Sequence, residues 1–295
     1  MKTVVVVGGD GFLGRAICRY LGTSFEVIVW DVDRDLFTLS SEALRDQRVA
    51  AIVNLSVVAE LSARFLRADM RSWHVNVQGV SHLVDCARES GATFIQFSTR
   101  EVLGPVFGQD DVFESDGVYR PKWEVTEAQA TNPQNAYGQS KLISEWLTQT
   151  LANGYVVRLA TPYSDEIPKV GGGLVPALLR NSLSSRTVQL TQGGKQFRDP
   201  VHVLDIAAMV ERLITRQPEP GIYNCGHGGR NLISLIELVK LINSDIPVED
   251  IAGGDLGFAF DTTRARQSLG WVPEVLIRER LPELIEATKL GLGKA

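Results

Sequence analysis

The 295-residue sequence predicts an α/β fold, a doubly wound parallel sheet followed by a smaller C-terminal lobe. Three observations predict it. Short apolar runs alternate with longer stretches of helical spacing up to about residue 160. The first run, Val4 to Val7, breaks into glycines at Gly8, Gly9, Gly11 and Gly14, and the second, in "VIVWD", ends on Asp31.

Each element follows in order. Val4 to Val7, Glu26 to Trp30, Ala51 to Leu55, Thr93 to Ser98 and Tyr155 to Leu159 are apolar runs bounded by turn residues, and they read as strands buried on both faces. Gly14 to Gly22, Trp73 to Ser90 and Ala136 to Ala152 carry helical spacing. Strand, helix, strand in that order requires parallel pairing with helices on both sides. After Leu159 the rhythm loosens through "TPYSDEIPKVGGGLVP", and the remainder mixes short strand and helix signals. Residues 1–160, with a return segment near 201–225, are expected to form one domain and 161–295 mainly a lobe that covers the substrate. Repeats and low-complexity tracts are not apparent.

Composition excludes several function classes. The formal net charge of −5 gives no basic face for nucleic acid. The N-terminal apolar run is too short for a signal peptide or a membrane span, so a cytoplasmic protein is expected. Cys18, Cys86 and Cys225 lack any C-x-x-C spacing and read as packing residues. His74, His82, His202 and His227 lack ligand spacing and the carboxylates are dispersed, so no metal is expected; His202 reads as a packing residue.

A strand that runs into closely spaced glycines and then a helix lets backbone N–H groups approach a pyrophosphate at the positive helix end. Two spellings compete: Gly9, Gly11 and Gly14 as G-x-G-x-x-G, and Gly8, Gly11 and Gly14 as G-x-x-G-x-x-G. Asp31 lies where a carboxylate accepts from both adenosine ribose hydroxyls and repels a 2′-phosphate, which favours NAD over NADP; Arg34 nearby weakens that preference. In "NAYGQSK", Tyr137 and Lys141 are spaced i, i+4 and share a helix face. An ammonium beside the phenol, with the nicotinamide ring close by, is expected to lower the tyrosine pKa, so that it can exchange a proton with a sugar hydroxyl. Upstream, "FSTREVLG" is a strand ending in hydroxyl residues.

With these motifs in place the chain resembles the extended short-chain dehydrogenase/reductases, specifically the nucleotide-sugar epimerase/dehydratase group. "GGDGFLG" is similar to the family's glycine loop, "VNLS" sits where H-L-A-A is usual, and "NVQG" resembles the following N-x-x-G. "YGQSK" is similar to the active-site helix, "GGKQFRDPVHVLDIA" to the segment meeting substrate phosphates, and "DTTRARQSLGWVP" to the C-terminal signature. The resemblance implies a Rossmann-type sheet with NAD held by Gly8, Gly11, Phe12, Leu13, Gly14, Asp31, Leu55, Ser56, Asn76, Ser98, Tyr137 and Lys141. It implies catalysis by Thr99, Tyr137 and Lys141, through transient oxidation at carbon 4 of a nucleotide sugar, in a homodimer. The 4-keto sugar can then be reduced from the other face, lose water, or, in a uronic acid, lose carbon dioxide. UDP-uronic acid decarboxylase or 4-epimerase activity and an NAD(P)-dependent 4-keto-sugar reductase stand as alternatives. An inert NAD-binding regulator is disfavoured by the complete Thr99, Tyr137 and Lys141 set.

The chain departs from the family where the branches diverge. After Thr99 come Arg100 and Glu101. Glu101 suits a carbon 5 base, whereas Arg100, always charged, cannot be a general acid and would suit a substrate carboxylate. In the alternative, Arg100 points to solvent and pairs with Glu101. By resemblance the substrate would also meet Thr161, Val175 and Arg198, the last through its diphosphate; a second phosphate arginine is replaced by Ala252. Leu103 replaces the usual tyrosine, Asn54 and Ser56 alter a strand end, and the family's third strand is missing between Trp30 and Ala51. The 104–123 segment is longer than in a simple epimerase and reads equally as a flap over the sugar and as a solvated loop with an aromatic anchor.

Overall fold

The computed structural model describes residues 1–31, 33–58, 70–169 and 171–292. Its centre is a six-stranded, wholly parallel sheet. β1 (Thr3–Val7) enters the glycine turn and α1 (Phe12–Leu21), then β2 (Glu26–Trp30), α2 (Ser41–Asp46) and β3 (Val49–Asn54) follow. Next come α3 (Met70–Trp73), a π-helical stretch His74–Gly79, α4 (Val80–Ser90) and β4 (Thr93–Thr99). A hairpin of β5 (Val112–Ser115) and β6 (Val118–Pro121) precedes α5 (Ala136–Thr148) and β7 (Gly154–Leu159). The rest comprises β8 (Thr161–Tyr163), α6 (Leu174–Ser184), β9 (Val188–Thr191), β10 (Phe197–Arg198), β11 (Pro200–His202) and α7 (Val203–Arg216). After these come β12 (Gly221–Cys225), β13 (Ile233–Ser234), α8 (Leu235–Ile242), β14 (Val248–Ile251), α9 (Thr263–Leu269) and α10 (Ile277–Leu292).

The sheet order is β12-β7-β4-β3-β1-β2. β1 therefore has β2 on one side and β3 on the other, with register Val7↔Trp30 and Val7↔Asn54. The winding reverses there, which opens a crevice above the strand ends. Among the described residues a short 3-10 helix, Leu36–Thr38, and α2 lie between β2 and β3, and no further strand extends the sheet beyond β2. All five strands expected from the sequence form. The active-site helix is shorter than expected: it stops at Thr148 instead of Ala152, because the chain must turn through Asn153 into Gly154 to start β7.

Both faces of the sheet are covered. Val4, Val6, Ala51, Val53, Ile95 and Val157 pack against Ile17 and Leu21 of α1 and Ile206, Val210 and Leu213 of α7. Val5, Ile52 and Phe94 pack against Leu44 of α2 and Leu83, Val84 and Ala87 of α4. A third cluster, around Tyr163, Leu179, Leu238, Val239, Ile277 and Leu281, is the core of the C-terminal lobe. Asp205 of α7 ties the C-terminal signature down: its carboxylate accepts from Glu274 N (2.9 Å) and Val275 N (3.1 Å), and its carbonyl from Trp271 Nε1 (2.8 Å). No described helix is long and apolar enough to cross a membrane.

Candidate active site

The glycine turn lies at the sheet's switch point, and its glycines are required by space. Gly8 has φ +81°, and a Cβ there would lie 2.8 Å from Ser56 N, beyond the end of β3. A Cβ at Gly14 would strike the carbonyl oxygens of both Gly8 and Gly9. Gly11 caps α1 with no side-chain hydrogen bond, so the first N–H groups of a ten-residue helix have no side-chain acceptor. Phe12 and Leu13 form the first turn, both half-buried. Asp31 closes the turn from the end of β2, accepting from Asp10 N at 2.7 Å. This cradle fits NAD: positive helix end, no Cβ in the way, and a carboxylate one strand over.

The far wall is built from the unusual strand end. Buried Asn54 donates from Nδ2 to Gln96 Oε1 (2.8 Å), and its Oδ1 accepts from Ser56 N (3.1 Å) and Ser56 Oγ (2.6 Å). Leu55 N bonds Val7 O at 2.8 Å, so Leu55 and Ser56 continue over the glycine turn. Asn76 holds the next stretch. Its side chain exchanges two hydrogen bonds with the Val58 backbone (2.9 and 3.0 Å), while Nδ2 also reaches Ser140 Oγ (3.2 Å). Asn76 thus clasps the loop after β3 to α5.

Thr99 ends β4, and Tyr137 and Lys141 stand on the first turns of α5. Asn135 caps that helix, accepting from Gly138 N at 2.7 Å. Gly138 is glycine because a Cβ would lie 2.7 Å from Glu101 O, so the helix start packs directly on the turn that carries Arg100 and Glu101. Burial pushes the phenol of Tyr137 up to about 12, the neighbouring Thr99 opposes the rise, and the charge of Glu101 adds to it. The lowering expected from sequence is therefore absent in the protein alone. Lys141 is fully buried, donates to Phe97 O at 3.0 Å, and is pulled down to about 8 by burial despite the nearby Glu145 carboxylate. Ser98 faces the other way: its hydroxyl bonds Glu145 Oε1 at 2.6 Å, and Arg158 grips both oxygens of Glu145 at 2.9 and 2.7 Å.

The substrate-side residues separate into two groups. Arg100 does not run into solvent and does not pair with Glu101, contrary to one reading of the sequence. It crosses to Asp255 at 2.7 Å, stacked over Phe258 at 4.5 Å, and Arg198 reaches the other oxygen of Asp255 at 2.9 Å. Thr161 is buried on β8, its N–H on Asp199 O at 3.0 Å. Val175 is turned into the core of the lobe and has no exposed side-chain surface for a ligand, which corrects the contact inferred from resemblance. The 104–123 segment is neither a bare loop nor free of the lobe. Its hairpin turns at Asp116 and Gly117, both with left-handed φ. It is fixed by Tyr119 N on Lys195 O (3.2 Å), by Arg120 with Glu237 (3.1 Å), and by buried Phe107 against Trp123, Phe197 and Phe258.

Three carboxylates were not singled out by sequence reasoning. Glu145 lies i+4 from Lys141 and could have been found from helical spacing. Asp199 is fully buried and accepts from the backbone of His227 (2.8 Å), Gly228 (3.1 Å) and Phe260 (3.3 Å); burial outweighs these bonds and lifts it to about 7. Asp255 sits between flexible glycines in "GGDLG", the single local signal it has. Among the described residues no group of His, Cys, Asp and Glu is arranged to hold a metal ion.

Comparison with known proteins agrees with this fold. The sequence is 24% identical to dTDP-glucose 4,6-dehydratase of Neisseria meningitidis, over 92% of this chain and 89% of the relative. Among solved structures it resembles a UDP-glucose-4-epimerase from Stenotrophomonas maltophila crystallised with NAD and formylated UDP-arabinopyranose (TM-score 0.83, 17% identity, 100% of both chains). It also resembles DesIV, a dTDP-glucose 4,6-dehydratase from Streptomyces venezuelae with NAD and TYD bound (TM-score 0.80, 22% identity, 99% and 98% covered). The family model described as the NAD dependent epimerase/dehydratase family matches residues 4–226, most of the chain. The chain belongs to the NAD dependent epimerase/dehydratase family.

Proposed function

We propose that this chain is an NAD-dependent nucleotide-sugar epimerase or dehydratase that acts by transient oxidation at carbon 4 of the sugar. The observation that carries the reading is buried Lys141 one helical turn from Tyr137 on α5, donating to Phe97 O at 3.0 Å beside the strand end that carries Thr99. When bound, NAD would supply the hydride chemistry. Gly8, Gly11, Phe12, Leu13 and Gly14 would cradle its pyrophosphate, Asp31 would take the ribose, and Leu55, Ser56 and Asn76 would line the wall. Thr99 binds the carbon 4 oxygen and relays its proton to Tyr137. A phenol that sits near 12 does not take that proton unaided. Lys141, near 8, is mostly ammonium at neutral pH, and from the same face of the helix its charge would favour the phenolate. Ser98 acts from behind, fixing Glu145. Residues 1–160 with 201–225 hold the cofactor, and the rest of 161–295 covers the sugar.

Glu101 favours the branches that need a base at carbon 5. Its carboxylate accepts from Asn135 Nδ2 at 3.4 Å, at the start of the helix that carries Tyr137, and its charge raises the Tyr137 phenol. The protein works in the cytoplasm as a homodimer formed through α5 and its neighbour α4. Replacing Tyr137 with Phe leaves NAD binding intact and lowers turnover of a UDP- or dTDP-sugar by roughly 10²–10⁴-fold, the usual share of general acid–base catalysis. Product NMR on the wild type reads the branch, and undiminished turnover by the variant rejects the mechanism.

A further inference from the structure

Behind Tyr137 and Lys141 the protein buries an ion pair that neither the glycine turn nor the sugar cleft explains. Glu145, one helical turn beyond Lys141 on α5, and Arg158, near the end of β7, have side-chain exposures of 1% and 2%. The carboxylate is gripped at three points: Oε1 accepts from Ser98 Oγ (2.6 Å) and Arg158 Nε (2.9 Å), and Oε2 from Arg158 Nη2 (2.7 Å). The remaining guanidinium nitrogen, Nη1, donates to Glu127 O at 3.2 Å, so the fork cannot turn away. Stability does not account for the pair, because well-packed apolar side chains of the same size would hold α5 on the sheet as well or better. Strand β4 joins it to the catalytic centre within three residues. Phe97 O accepts from the Lys141 ammonium at 3.0 Å, Ser98 turns to the other face and donates to Glu145, and Thr99 ends the strand beside Tyr137. The acceptor that Lys141 finds is therefore an uncharged carbonyl. Burial draws the lysine down to about 8, and the Glu145 carboxylate is the charge that opposes the fall. Among the described side chains, the other charged groups on the elements packed against α5 are engaged elsewhere. Arg100 meets Asp255, Asp85 pairs with Arg88, Glu89 takes the Ser41 hydroxyl, His82 meets Leu39 O and His74 meets Gln78. Glu101 accepts from Asn135 at the start of the helix, and the Glu127 carboxylate accepts from Asn224 N.

We propose that Arg158 and Glu145 form a buried charge chain behind the catalytic pair, in which the Glu145 anion, fixed by Arg158 and Ser98, is the positioning residue that keeps Lys141 an ammonium at neutral pH. Glu145 is enclosed on every side and meets no ligand, so it acts through Lys141. While Lys141 keeps its proton, its charge favours the phenolate of Tyr137 on the same helix face. The proposal rests on the acid–base reading of Tyr137 and Lys141 for its catalytic consequence, but not for the existence of the chain.

The test is the proton titration of Lys141 itself, followed by NMR of the NAD-loaded protein isotope-labelled at the lysine ε carbons, with the Lys141 signal assigned as the one that Lys141→Met lacks. Beside it stands the pH profile of kcat with a UDP- or dTDP-sugar. Glu145→Gln removes the charge and keeps the shape; it moves the Lys141 midpoint down by about one pH unit, and the alkaline fall in turnover moves with it. Glu145→Asp, which retains the charge, recovers most of that shift. A merely structural role lowers turnover at every pH and leaves the midpoint in place; that result, or equal shifts in the Gln and Asp variants, overturns the proposal. If Glu145→Gln does not fold, the double variant Glu145→Gln/Arg158→Gln, which strands no buried charge, takes its place: a downward shift supports the chain, and an unmoved midpoint overturns it. A wild type that turns over no nucleotide sugar while the midpoint shifts keeps the charge chain and rejects the reading of the site. A fixed midpoint in an enzyme whose turnover depends on Tyr137 rejects the chain and spares that reading.

Discussion

At the scale of single residues, the site depends on a lysine that burial has made a weak base. Lys141 sits at about 8 against an ordinary 10.5, because its ammonium is desolvated and only Glu145 opposes the shift. Two pH effects of opposite sign follow. Turnover needs the ammonium, so it falls as pH rises through about 8. Stability moves the other way: between about 8 and 10.5 the unfolded chain binds a proton that the folded chain has released, so stability increases with pH across that window. Lys141→Met removes both effects at once. The expected result is a loss of most activity together with a flatter stability curve between pH 8 and 10.5, read by denaturant unfolding at each pH. An unaltered alkaline limb in a variant that still turns over would show that another group titrates there. Tyr137 and Lys141 were legible in sequence because i, i+4 spacing on a helix is a local rule. The elevated phenol was not, because it depends on burial, which is set by the whole fold.

At the scale of elements, the strands were readable and the helix ends were not. β1, β2, β3, β4 and β7 are apolar runs because strands of a parallel sheet are covered on both faces, so no polar alternation interrupts them. β10 and β13, at two residues each, offer no period to detect. α1 begins at Phe12, two residues before the last glycine of the loop, so Gly14 lies inside the helix and not at its start. That placement gives a prediction. Gly14→Ala puts a methyl against Gly8 O and, at 2.6 Å, against Gly9 O, both backbone atoms that cannot swing aside. The α1 N-terminus must move off the turn, costing roughly 1–3 kcal/mol of stability by overpacking. The same movement misaims the free N–H groups, so titration with NAD shows weaker binding. Gly91→Ala is the comparison: its φ of +76° makes it strained, but a Cβ there meets nothing within 4 Å, so NAD affinity stays that of the wild type. If Gly14→Ala binds NAD as tightly as Gly91→Ala, the close approach at Gly14 has no part in cofactor binding.

At the scale of the molecule, what the sequence could not reveal is what the chain brings together across long distances. Arg100 meets Asp255 over 155 positions, Asn224 N meets Glu127 Oε1 over 97, and the hairpin's Arg120 meets Glu237 over 117. No spacing rule connects such pairs, and only the overall topology does. The surface is equally non-local. Trp146 of α5 is 59% exposed and Trp73, at the end of α3, is 40% exposed, on helices that pack side by side. Leu142 and Leu147 pack inward, Leu142 in the sheet core and Leu147 against the cluster beneath α4. The outward apolar character of α5 therefore rests on Trp146. An exposed indole removed from water by a partner helix is a typical anchor of an interface, and charge at such a position is strongly unfavourable. Trp146→Glu should convert a dimer to a monomer in light scattering at micromolar concentration, with NAD binding retained because the indole is 59% exposed and the glycine turn belongs to β1 and α1, not to α5. A wild type that is already monomeric, or a variant that stays dimeric, rejects α5 as the contact.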